Sequence, residues 1–297
     1  MKNRVLVTFT KVNNKLCMIW LASFPRSGNT FFRNVLFEVY GIESSVFHQG
    51  TVNSGTKDYI QYQVVKTHLL PNQVEPMNDS VKSVYLVRDG RDALVSLAHH
   101  RKDIVEPNSN FQTNLLEAII AAEGSFFGGW SENIRQWKEK ADIIIHFKDL
   151  VSNPIREVEK LRTIIDLPYP QRDKLPSFED LKFGQPKYGS GKKITNTKKQ
   201  RVLTQKLFRK GKVGSWKEDM TPMMEQFFWD LHGEMMSEMG YGQKKTKNYR
   251  WLPKYFFDRL PIEYKKKFIL SNGEVKGYLT ELLYKLSKRI NPTKKEL

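Results

Sequence analysis

Residues Lys15–Thr30 read KLCMIWLASFPRSGNT. From Leu16 to Phe24 the run is almost unbroken apolar and of strand length, with Pro25 at its end. Lack of alternation predicts a strand buried on both faces, the habit of parallel sheets in α/β proteins. Pro25–Thr30 form a glycine-containing turn. From Phe31 to Tyr40 the apolar residues fall at 31, 32, 35, 36 and 39, which is helical spacing. The unit is strand, glycine turn, helix.

The same unit recurs downstream. Ser83–Val87 (SVYLV) reads as a short strand, Arg88–Asp92 as a polar turn, and Ala93–His99 as the start of a helix. Tyr62–His68 and Asp142–Phe147 are two more strand candidates. Pro154–Ile165 carries a helical stripe of Val158, Leu161, Ile164 and Ile165, opened by Asn153-Pro154. Thr221–Met239 is a further helix, with Gly240 as its stop. Gly184–Lys210, rich in Gly, Lys, Thr and Gln and without a clear period, reads as a mobile basic loop. Strands separated by helices predict an α/β fold: a doubly wound parallel sheet, P-loop-like, with helices on both faces.

Composition narrows the class. Of 297 residues, 39% are hydrophobic and 27% charged, which excludes collagen-like, disordered and polytopic membrane chains. The basic N-terminal stretch is broken by Thr8, Thr10 and Lys11, which argues against a secretory leader. The single cysteine, Cys17, allows no internal disulfide and fits a reducing, cytoplasmic setting. Net charge is +17, and residues 243–297 hold 15 Lys/Arg against 5 Asp/Glu. The chain therefore divides into a main domain, 1–242, and a basic extension, 243–297. The extension mixes cations with aromatics (Trp251–Phe257, Tyr264–Phe268) and carries a helical stripe from Tyr278 to Ile290. That mixture suits peripheral contact with a membrane interface, or equally packing on the core or on a partner chain.

Four segments can carry chemistry. In FPRSGNT, Phe24–Thr30, backbone N–H groups of the turn and first helical turn can cradle an anion, aided by Arg26, Ser27, Gly28, Asn29 and Thr30. The segment is not a Walker A loop, because Asn29-Thr30 stand where that loop carries Lys and a metal-binding hydroxyl. Arg88 and Ser96, at a strand end and about two helical turns on, could grip one dianionic group; alone, they read sooner as a surface arginine and a routine helical serine. Lys66-Thr67-His68 end an apolar strand, where such sheets bind ligands, and His68 could take a proton from a hydroxyl. Arg209–Lys217 (RKGKVGSWK) is a glycine-spaced cationic clamp or a solvated loop. His99-His100 carry no metal reading, since adjacent side chains diverge on a helix and no third ligand is evident.

Together, in this order and with SFEDL at Ser177–Leu181, these blocks resemble the signatures of the cytosolic-type sulfotransferases. The likeness runs from about Ile19 to Tyr241. It implies a co-substrate, 3′-phosphoadenosine 5′-phosphosulfate (PAPS), no metal, and sulfuryl transfer to a hydroxyl or amine acceptor. It also implies roles. Arg26 to Thr30 would wrap the 5′-phosphosulfate. Arg88 and Ser96, with Arg209, Lys210 and Gly211, would hold the 3′-phosphate. Phe31 and Phe178 would sandwich the adenine, with Phe147 beside the base. His68 would be the general base, with Lys66 and Arg26 at the sulfuryl oxygens. Arg26 replaces the usual Lys, Phe147 a Tyr, and Ser215 an Asp. The 41 residues between Arg26 and His68 are fewer than those enzymes carry, which leaves the acceptor open: a small molecule, a saccharide or a glycolipid. No nucleic-acid partner is expected. A P-loop-type kinase of a small hydroxyl substrate explains only the first turn. A non-catalytic polyanion- or membrane-binding protein explains only the charge.

Overall fold

The computed structural model describes residues 18–48, 58–78, 80–120, 127–189 and 197–242. The basic extension 243–297 and its amphipathic stripe lie outside the described residues, as does Cys17. Five strands form one all-parallel sheet: β1 Ile19–Ser23, β2 Ser44–Val46, β3 Val64–Thr67, β4 Lys82–Val87 and β5 Ile143–His146, in the order β2-β3-β1-β4-β5. Helix α1, Asn29–Tyr40, follows β1; α2, Gly90–His100, follows β4. Then come α3 Phe111–Ile120, α4 Trp130–Lys138, α5 Phe147–Ser152, α6 Pro154–Glu159, α7 Phe178–Phe183, α8 Thr197–Leu207 and α9 Pro222–Glu238. No helix among the described residues is long and apolar enough to cross a membrane.

The unbroken apolar run has the cause inferred for it. Ile19 and Leu21 face a core built with Val35, Leu36 and Val39 of α1 and Leu150 and Val158 of α5 and α6. Trp20 and Ala22 face a second core with Leu94, Leu115, Trp137 and Phe228 of α2, α3, α4 and α9. All four strand residues are fully buried. Cutting one such side chain back, as in Leu21→Ala, costs about 2–5 kcal/mol in transfer and cavity terms.

Several boundaries differ from expectation. Helix α1 begins at Asn29, two residues early, because Gly28 at φ 105° turns the chain directly into it. The turn after β4 is only Arg88 and Asp89, because the Asp89 carboxylate accepts from the Arg91 N–H and starts α2 at Gly90. The predicted helix at 154–165 tightens into a 3-10 turn at Lys160–Thr163. The loop reading of Gly184–Lys210 is corrected in part: residues 197–207 form α8, which packs its Thr204 inward and leaves Lys198, Lys199 and Arg201 exposed. One-sided burial with a polar outer face gave little hydrophobic period to read.

Topology fixes where the loops meet. From β1 the chain winds toward β3 and β2; from β4 it winds the other way to β5. Such a reversal opens a crevice at the carboxyl ends of the strands. Ala22 lies opposite Thr67, and Ser23 opposite Leu86. The residues just beyond β1, β3 and β4 therefore converge on one edge.

Candidate active site

One cavity of about 1230 Å³ opens at that edge. It is lined by Arg26, Lys66, His68, Arg88, Ser96 and Phe178, among others. All four sequence segments are thus brought together, although they span more than half the chain.

The turn after β1 has the makings of an anion cradle. No side chain caps α1, and its first turn carries no acid, so its leading N–H groups and positive dipole end face outward. Ser27 is buried, yet among the described residues its Oγ has no hydrogen-bond partner; the same holds for Asn29 Oδ1 and Arg88 Nε. Buried polar groups are normally satisfied, so three orphans around one turn mark a polar ligand's place. Gly28 lets the Phe147 ring pack directly beneath the turn. A Cβ there would lie 2.7 Å from Phe147 Cδ2. The orphaned hydroxyl, the guanidinium and the uncapped helix together fit a polyanionic group such as PAPS.

Arg26 holds φ 69°, a left-handed backbone rare outside glycine. Its side chain crosses to α2, donating from Nε to Ser96 Oγ (3.1 Å), and reaches the end of α8 at the Leu207 carbonyl (2.6 Å). Burial, then Arg88 and Arg209, pull its pKa down to about 10, so it remains a cation at neutral pH. Arg88 donates to the carbonyls of Arg26 (3.1 Å) and Lys212 (3.0 Å) and lies over the Phe147 ring at 4.3 Å. Ser96 thus meets Arg26, and Arg88 meets the two loops, while both residues line the same cavity.

The cationic clamp is partly self-neutralised. Arg209 sits 3.3 Å from Asp219, and Lys210 pairs with Glu218. Gly211, at φ 63°, lets Phe178 close in: a Cβ there would come within 2.3 Å of its ring. Phe178 starts α7, whose Ser177–Asp180 capping box fixes its direction, and meets Phe208 edge to face at 6.2 Å. Phe31 lines the same cavity. Phe147 lies under Gly28 and Arg88, acting as the floor of the cradle.

His68 follows β3. Its Nδ1 lies 2.8 Å from the Ser23 carbonyl. A carbonyl only accepts, so Nδ1 carries the proton and Nε2 keeps its lone pair. Burial first, then Lys66, depress the imidazole's pKa well below its ordinary value, so it is neutral at pH 7. Lys66, one strand residue before Thr67, has its pKa drawn down to about 7 by burial, Arg33 and Arg26.

Several residues that shape this site had no role assigned from the sequence. Asn133 of α4 is fully buried; it donates to the carbonyls of His68 (3.2 Å) and Phe127 (3.0 Å) and accepts from Tyr85 Oη (2.8 Å). Tyr85 in turn accepts from the Phe24 N–H at 3.3 Å. That chain ties the tip of β1 to the His68 backbone. Asp92, 1% exposed, accepts from the Gly214 N–H (2.7 Å), Ser215 Oγ (3.2 Å) and Trp216 N–H (3.0 Å). It pins the glycine-spaced loop to α2. A polar residue inside a helix or turn looks alike in sequence whether it is solvated or buried, so neither was visible.

A family model described as the sulfotransferase domain matches residues 17–240. Cytosolic sulfotransferase 1 of Danio rerio is 30% identical over 186 residues, covering 59% of this chain and 60% of that protein's length. Sulfotransferase 1A1 of Canis lupus familiaris is 24% identical over 238 residues, covering 70% of this chain and 79% of that protein. Among solved structures, mouse sulfotransferase SULT7A1 complexed with PAP shares the fold with a TM-score of 0.58 at 22% identity, over 76% of this chain and 86% of that one. Retinol dehydratase in complex with androsterone and PAP gives 0.54 at 16% identity, over 79% and 83%.

Proposed function

The chain belongs to the sulfotransferase family, and we propose that it moves a sulfuryl group from PAPS to a hydroxyl or amine acceptor by in-line transfer, with His68 as general base. The observation that carries this reading is the meeting, in one cavity, of the anion cradle at Gly28 and Arg88 with the Nε2 lone pair of His68. The neighbours complexed with 3′-phosphoadenosine 5′-phosphate (PAP) support the donor.

Ser27, Gly28, Asn29, Thr30 and the α1 N–H groups hold the 5′ anion. Arg88 and Ser96, with Arg209, Lys210 and Gly211, hold the 3′-phosphate. Phe31 and Phe178 take the adenine between them, with Phe147 beneath the cradle. When bound, PAPS supplies the sulfuryl group and a leaving bisphosphate nucleotide. His68 Nε2 removes the acceptor's proton as the new bond forms. Arg26 and Lys66 neutralise charge on the sulfuryl and bridging oxygens, a task for fixed cations in a site shielded from water.

The transferase domain covers residues 1–242 of a cytoplasmic protein. In this reading the basic extension 243–297 brings the enzyme to anionic membranes, where a glycolipid or other saccharide acceptor would be presented. Co-sedimentation with anionic vesicles, with and without residues 243–297, tests that arm; equal pelleting ends it. The reaction itself is tested by calorimetric binding of PAP, AMP and ATP with Mg²⁺. Tight binding that needs the 3′-phosphate is expected. No preference for PAP over AMP overturns the donor assignment and turns the reading toward a kinase or a binding module.

A further inference from the structure

The acceptor side of the cavity holds a second imidazole that the transfer step does not use. His100 is the last residue of α2. It stands four residues after Ser96, so both lie on one face of the helix, a turn apart. Ser96 is anchored to Arg26, and His100 lines the same cavity. Among the described residues nothing hydrogen-bonds to its ring. His99, its neighbour, points away and meets Asp219 at 3.2 Å.

His100 is within electrostatic reach of His68, Lys66 and Arg26. Burial, with Arg26 and Lys66, holds its pKa near 4, so it too is neutral at pH 7. A neutral imidazole offers one donor and one acceptor, the pair a hydroxyl needs. Directly after it the chain widens into a π-helical turn, Arg101–Val105, a local distortion that recurs at ligand sites. Phe24, Leu97, Val105 and Phe127 supply apolar walls around these polar points.

Building on the sulfotransferase reading, we propose that His100 recognises a second hydroxyl beside the one sulfated at His68, so that the acceptor is a vicinal diol rather than a lone alcohol or phenol. One hydroxyl lies at His68 Nε2 and is the nucleophile. Its neighbour exchanges a hydrogen bond with His100 and fixes which oxygen attacks. A site built to bond a hydroxyl rejects the analogue lacking it, because its own buried polar group is then left unpaired. Saccharides and catechols share this chemistry.

The test measures kcat/KM of the full chain with PAPS and three acceptors: 4-nitrophenol, 4-nitrocatechol and 4-nitrophenyl β-glucoside. PAP binding is measured by calorimetry in parallel. At least one diol should exceed 4-nitrophenol by about tenfold or more. The better diol identifies its source as aromatic or saccharide. His100→Phe should abolish the preference through KM for the diol, and His100→Gln, which keeps a donor and an acceptor, should restore part of it. PAP affinity reports whether each variant is folded. Equal rates on all three acceptors overturn the proposal, as does a diol preference that survives in His100→Phe. Turnover of none, with PAP bound, also overturns it. Loss of PAP binding in the unaltered protein instead overturns the sulfotransferase reading beneath it.

Discussion

Arg26 Nε donates to Ser96 Oγ across 3.1 Å, joining the turn after β1 to the second turn of α2. Its other arm reaches the Leu207 carbonyl at the end of α8. One guanidinium thus spans the donor cradle, the helix that carries His100, and the segment leading to Arg209. A lysine would keep the charge but is a single point donor and could not bridge both partners. Arg26→Ala should weaken PAP binding by the loss of a charged hydrogen bond, about 1.5–3 kcal/mol, and lower turnover further. Arg26→Lys should recover PAP affinity more fully than Arg26→Ala does. Calorimetry on the two variants decides this; equal losses in both would show that charge at position 26 is not what holds the donor.

His68→Ala should lower turnover by about 10²–10⁴-fold with PAP binding nearly intact. Unchanged turnover would remove His68 from the mechanism.

The pH profile carries a separate signature. His68 is depressed well below its ordinary value by burial and Lys66, so it stays an unprotonated base through neutral pH and the acid limb lies low. Lys66, drawn to about 7 by burial, Arg33 and Arg26, is a cation below that pH and loses its proton above it. Since the cation is the useful form, kcat/KM should fall as pH rises through about 7. At saturating PAPS the limb should move upward, because a bound polyanion favours charged Lys66. Lys66→Arg should remove the alkaline limb. A limb unmoved in that variant would assign it to another group.

Gly28→Ala should fail twice over. The backbone sits at φ 105°, and a Cβ would meet Phe147 at 2.7 Å. Left-handed strain alone costs about 1–3 kcal/mol, and the clash adds to it. Relieving the ring, in Gly28→Ala with Phe147→Ala, should restore only the clash component. Thermal melts and PAP titration measure both parts; a Gly28→Ala protein that melts like the parent would mean the turn tolerates a side chain.

What could be read in the sequence followed physical signals of short range. Leu16–Phe24 announced a two-faced strand because every position but Ser23 was apolar, and PRSGNT announced a turn because glycine and proline punctuate locally. Val64–Thr67 and Ile143–His146 were found from the short apolar stretches inside Tyr62–His68 and Asp142–Phe147. Ser44–Val46 was missed: three residues, two of them serines, join the sheet only through pairing with β3. Helix α8 was read as a loop because its sequence is mostly Lys, Gln and Thr. At the site, the anion-binding residues stood in recognisable blocks. Asn133 and Tyr85 did not, since their role depends on burial and mostly on partners 48 or more residues away. The Arg26–Ser96 hydrogen bond, between residues 70 apart, is likewise a matter of side-chain direction.

Asp92 offers the sharpest test of how the cationic loop is held. Its carboxylate accepts from Gly214, Ser215 and Trp216 and lies 3.9 Å from the Arg88 guanidinium. Arg88 in turn donates to the Lys212 carbonyl, so helix, loop and strand end are locked around one buried acid. Asp92→Ala leaves two backbone N–H groups and Arg88 without that partner. Removing one member of a buried charged set costs about 3–5 kcal/mol. At about 2–4 °C per kcal/mol for a domain of this size, the melting temperature should drop clearly. Asp92→Asn keeps an acceptor oxygen but not the charge, and should fall between. Below its melting point, Asp92→Asn should bind PAP at least several-fold more weakly than the parent while AMP changes little, if the loop and Arg88 serve the 3′-phosphate as proposed. Equal weakening of PAP and AMP would mean that Asp92 supports the whole cleft instead of this clamp.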